Sequence, residues 1–229
     1  MVESLLVNDR EEVYNGKEAL IEPKDAIEEL VRRKGSAIPA LIPLIERYEK
    51  EKERRNYVDY VIETLGRIGS ERALELITRI LLATIANDDD GSDTCLSWLR
   101  NNGRVAVPAL LRFMEANYQD TIAVGYAAEA METIRDRRLV PMSVKLLDYP
   151  NPLVVQSALL SLETQGDKSV VPHIIPLRDY KHEHPGEQRQ TREFASRALG
   201  SLLGEEQPEP REVESKPKSR PRSRAPRSR

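Results

Sequence analysis

The sequence predicts an all-α chain built from a repeated pair of helices. Three observations predict it. A helical anchor recurs every three dozen residues or so, a small or β-branched residue stands four positions before each anchor, and an apolar run leads into proline after most of the helix stops. Composition agrees. Hydrophobic residues make up 39% of the 229 and charged residues 32%, while aromatics reach only 5%. A compact globule of this length needs more large apolar side chains, whereas a thin stack of helices has more surface per residue and needs fewer.

The anchors are Leu30, Leu65, Leu99, Met131, Leu162 and Leu199, separated by 35, 34, 32, 31 and 37 residues. Position −4 reads Ala26, Val61, Cys95, Ala127, Ala158 and Ala195. Position −8 reads Tyr57, Gly91, Ala123, Val154 and Thr191 from the second unit on. Residues four apart share one face of a helix, and small side chains there let a neighbouring helix approach closely. Gly35, Gly69, Gly103, Gly166 and Gly204 follow as expected stops.

A second helix then begins. Pro39, Pro108, Pro141 and Pro172 each end a small apolar run, and proline in the first helical turn costs no hydrogen bond. Behind them come apolar stripes near helical spacing: Leu41, Leu44 and Ile45; Leu110, Leu111 and Met114; Val144, Leu146 and Leu147; Ile174, Ile175 and Leu177. The segment 72–82 takes the same place without a proline. Each unit therefore reads as helix A, a turn, helix B and a stop. One unit alone cannot bury its apolar face, but stacked neighbours can. Alternation of period two is not sustained anywhere, so no strands are expected.

The segments AVPALLRFM, DYPNPLVVQSALLSLETQGDKSVVP and REFASRALGSLLG resemble HEAT repeats, in particular the short bacterial and archaeal kind also seen in phycobilin lyase subunits. The resemblance spans about residues 24–204 and is closest in the last three units. It implies a right-handed α-α superhelix, a HEAT-like solenoid of about five helix pairs. It also implies a non-enzymatic scaffold or adaptor that holds a protein partner on its concave face. A lyase-like or chaperone-like helper that handles a pigment is the second role it implies. The family often places Arg just inside helix B. Here that position reads Val58, Ser92, Val124, Val155 and Arg192, so only the last unit keeps it.

The domain reading follows: residues 1–23 as an N-terminal capping segment, 24–204 as the repeat domain, and 205–229 as a basic tail rich in Pro, Arg and Ser. The tail has five prolines and almost no apolar residue, and is expected to be disordered. It holds eight basic residues against five acids, or +3, which leaves −6 on the rest of a chain whose net charge is −3. An acidic body argues against a broad nucleic-acid groove. The tail alone, through Lys216, Lys218, Arg220, Arg222, Arg224, Arg227 and Arg229, has the charge to touch nucleic acid, an acidic protein or anionic lipid.

Cys95 is the single cysteine, the first sixteen residues do not read as a secretory signal, and no apolar run approaches the roughly 20 residues of a membrane span. A reducing, cytoplasmic setting is the expectation.

Candidate chemistry is thin. In the acidic stretch Asn87–Asp93, Gly91 as the sixth residue of a calcium loop puts Ala86 first and Ser97 last, and neither is a suitable ligand. An acidic, helix-capping turn is the better reading. His182 and His184, with His173 upstream, supply too few ligands for a closed metal site and read as a solvated loop. Cys95 falls on the packed face. Nucleophilic sets, phosphate loops and dinucleotide fingerprints are absent from the sequence, so neither enzyme activity nor a cofactor is expected. The expected partner surface is the exposed side of helix B: Asp59, Tyr60, Glu63, Asp93, Ser97, Tyr126, Glu129, Gln156 and Arg192. Tyr60 and Tyr126 share one repeat position, five before the anchor.

Overall fold

Amphipathic segments of 4–19 residues, punctuated by Gly and Pro, give helices and turns throughout the computed structural model, which describes residues 23–51, 56–87 and 91–204. No strand occurs among the described residues. The predicted B helices are α1 (Pro23–Arg33), α3 (Asn56–Ile68), α5 (Gly91–Asn102), α7 (Thr121–Met131), α9 (Pro152–Gln165) and α11 (Pro185–Leu203). The A helices are α2 (Ile38–Glu51), α4 (Glu71–Ala86), α6 (Val107–Ala116), α8 (Val140–Leu146) and α10 (Val171–Ile174).

The odd helices pack as a continuous row. Each odd helix lies on the next odd helix, from α1 on α3 through to α9 on α11. Each even helix lies on the odd helix that follows it, and α4 also joins α2 to α6. The sequence pattern explains the odd row. All six anchors are buried, and the −4 residues Ala26, Val61, Cys95, Ala127, Ala158 and Ala195 are at most 1% exposed. Each large apolar side chain so buried contributes about 1.5–3 kcal/mol.

The turns follow the proline reading. Short 3-10 turns at Lys34–Ala37, Gly103–Val105, Arg137–Leu139 and Lys168–Val170 lead into helices whose second residue is Pro39, Pro108, Pro141 or Pro172. α4, which has no such proline, is capped by Ser70, whose Oγ accepts from the Ala73 N–H. Asp120 and Asn151 cap α7 and α9 in the same manner.

Two glycines are fixed by close approach. A Cβ on Gly66 would lie 2.2 Å from the Trp98 ring, so α5 can lay its indole on α3 only over a glycine. Gly69 turns the chain at φ +60°, and a Cβ there would meet the Asn102 side chain. Asn102 in turn donates Nδ2 to the Gly66 and Trp98 carbonyls, which latches α5 to α3.

Three expectations shift. At the first stop Lys34, not Gly35, takes the left-handed conformation, at φ +52°. Leu111 and Val144 are only partly buried, because an even helix meets the odd row along one side. Ile175 is 52% exposed. It follows the last residue of α10, where Pro176 brings no N–H to continue an α-helix and the chain runs on as a 3-10 turn. α1 begins at Pro23, and residues 1–22 and the tail from 205 on, with all seven of its named basic residues, lie outside the described residues.

Candidate functional site

The odd helices bury the sides that face their neighbours and leave one strip uncovered. On α3 that strip is Asp59, Tyr60, Glu63 and Arg67; on α5 it includes Asp93, Ser97, Trp98 and Arg100; on α7 it includes Tyr126 and Glu129. Most of the residues predicted for a partner surface therefore share one face of the row. The chain has only two Phe, one Trp and eight Tyr, and this strip holds Tyr60, Trp98, Tyr126 and Phe194, each partly buried against the core. Phe194 stands five before its anchor, in register with Tyr60 and Tyr126. Phe194 is absent from the residues expected for a partner surface, and the repeat register is the signal that could have marked it.

Charged side chains cross between helices on the same side. Arg67 of α3 donates to both carboxylate oxygens of Glu28 on α1 at 2.8 Å and lies 3.5 Å from Glu63. Arg100 of α5 donates to the Glu129 carboxylate and carbonyl on α7, at 2.8 and 3.1 Å. Arg197 of α11 pairs with Glu163 of α9 at 3.0 Å and covers the Phe194 ring at 4.9 Å. Exposed pairs of this kind contribute little stability each, about 0–1 kcal/mol. They link neighbouring odd helices along the strip. The ties do not use the position just inside each odd helix, where Val58, Val124 and Val155 are buried.

Glu132, just beyond α7, makes no close ion pair among the described residues and feels the Arg100 charge only weakly. It is half-buried, accepts from the Ser157 hydroxyl at 2.7 Å, and burial pushes its carboxyl above the usual range.

Two predicted surface residues are elsewhere. Gln156 is buried at 5% exposure and donates to the Thr191 hydroxyl at 3.1 Å, because α11 closes over this face of α9. It is a link between helices and takes no part in an open strip. Arg192 donates Nε to the Tyr180 carbonyl at 2.8 Å and braces the loop before its own helix.

The histidine loop is held by local contacts. The His182 ring lies nearly parallel to Tyr180, and its Nδ1 accepts from the His184 N–H and is 3.1 Å from a Glu187 oxygen. No cluster of three or more His, Cys, Asp or Glu side chains suited to a metal occurs among the described residues. Residues 88–90 of the acidic turn lie outside them, and Cys95 is buried. No described helix is long and apolar enough to cross a membrane.

No protein-family model matches the chain, and no curated protein or solved structure does either.

Proposed function

We propose that the chain is a non-enzymatic helical-repeat scaffold or adaptor, a right-handed solenoid of the HEAT type. It holds a protein partner on the face lined by its odd helices, the concave one in such a solenoid. The observation that carries this reading is the strip itself. Tyr60, Tyr126 and Phe194 recur at one repeat position, are partly exposed, and are flanked by acids and arginines already held by cross-helix ties. Anchoring aromatics with pre-set polar neighbours are what a protein contact needs, since little side-chain freedom is then lost on binding. The recurrent spacing and the small residues at position −4 support the repeat reading.

The basic tail adds a weaker electrostatic contact in this proposal. Its affinity would be salt-dependent and would fall when the serines beside its arginines are phosphorylated.

The test is crosslinking with mass spectrometry in native extract, comparing the unaltered chain with a Tyr60→Ala/Tyr126→Ala variant. The reading expects one or a few proteins linked to the odd-helix strip and lost from the variant. Links that survive the two substitutions unchanged would contradict it. A partner lost only on deleting residues 215–229, especially a nucleic acid, would move the function to the tail.

A further inference from the structure

Away from the aromatic strip, the turns that follow α5, α7 and α9 meet at a cleft of about 320 Å³ lined by Arg104, Arg135, Asp136, Arg137 and Gln165. The walls are clipped together through the backbone. Arg104 donates Nε to the Arg135 carbonyl at 3.0 Å, and Arg138 donates Nη2 to the Arg104 carbonyl at 2.9 Å. Gln165 donates Nε2 to the Ile134 carbonyl at 2.8 Å, which ties the end of α9 to the same turn.

Charge in the cleft runs against the rest of the body. Residues 1–204 carry −6, yet three arginines line this cleft beside one lining carboxylate, Asp136; Arg138 pairs with that carboxylate, and Asp167 acts on Arg137 from outside the lining. The lining carboxylate is already occupied. Asp136 accepts from Arg138 Nε and Nη2 at 3.0 and 2.7 Å and from the Arg138 N–H at 3.0 Å, and the Arg138 guanidinium holds its carboxyl below the usual range. The exposed side chains of Arg135 and Arg137 make no hydrogen bond or ion pair with another described residue. Gln165, 5% exposed, keeps an Oε1 with no partner among the described residues at the inner wall. Guanidinium groups suit phosphate oxygens, which they meet with paired N–H donors. The volume is at the small end of ligand sites.

We propose that this cleft binds a compact phosphate, either the free ion or a small phosphomonoester, with Arg104, Arg135 and Arg137 as its donors. A hydroxyl on the ester has Gln165 Oε1 as an acceptor within the same walls.

The experiment is calorimetric titration of the full chain at low salt with inorganic phosphate and with glucose 6-phosphate, with glucose as the neutral control. Two variants are compared, Arg135→Gln/Arg137→Gln and the tail variant Arg220→Gln/Arg222→Gln/Arg224→Gln. Expected is saturable binding of one phosphate compound or both, weakened tenfold or more in the first variant and unchanged in the second. Whichever compound binds more tightly identifies the source. The two cleft arginines are exposed, so circular dichroism of the first variant should match the parent. No binding at millimolar phosphate, equal affinity in the first variant, or loss only in the tail variant would each overturn the proposal.

Discussion

The first and last even helices begin with nearly the same words and end differently. Ile38-Pro39-Ala40-Leu41-Ile42-Pro43-Leu44 opens α2, and Val171-Pro172-His173-Ile174-Ile175-Pro176-Leu177 spans α10 and the turn after it. Both place prolines four apart, and both bury the same two positions, Leu41 with Leu44 and Ile174 with Leu177. Yet α2 runs on through Pro43 to Glu51, while α10 stops at Ile174 and decays into a 3-10 turn. The difference lies downstream. After Pro43 the buried stripe continues with Ile45 and Tyr48. At the matching places the last unit has Arg178 and Lys181, both exposed. A missing N–H is tolerated where later apolar contacts hold the helix on, and ends it where they are absent.

The largest effect should come from removing that hold. Tyr48 is fully buried, and Tyr48→Ala should cost about 3–5 kcal/mol in chemical denaturation, with loss of helical ellipticity. Next comes the close approach within the odd row. Gly66→Ala should cost about 1–3 kcal/mol by pushing a methyl group into the Trp98 ring, and a Gly66→Ala/Trp98→Leu pair should recover part of it.

Glu132 should give a smaller, pH-dependent effect. Burial raises its carboxyl, so in the window above the ordinary carboxylate range the folded chain keeps a proton that the unfolded chain has lost. Stability from this group therefore falls as pH rises through that window. Glu132→Gln keeps an oxygen for Ser157 and should be the more stable form near neutrality, with no difference at about pH 3, below both values. The smallest effect is at the other end of the comparison. Lys181→Ala should change stability by less than about 0.5 kcal/mol, since no buried stripe passes through it.

Much of this architecture is legible in the residues. The anchors, the small residues four before them and the prolines in the first turn of four A helices all report local physics: helical periodicity, close packing and a missing N–H. The sequence is less informative where two units meet. Gln156 has the register of a surface residue, and only the closure of α11 buries it. Gly35 looks like a stop, but Lys34 takes the left-handed turn. The arginine cleft was hidden because Arg104 lies a full repeat from the Arg135-Asp136-Arg137-Arg138 run, and only stacking brings their turns together.

The most direct test of the scaffold reading places a photocrosslinking side chain at Glu129, in the aromatic strip, and separately at exposed Glu115 on α6. In the source cells the account predicts a discrete protein adduct from position 129, none from 115, and loss of that adduct when Tyr60 and Tyr126 are changed to Ala. Equal adducts from both positions, or an adduct indifferent to the two tyrosines, would contradict it.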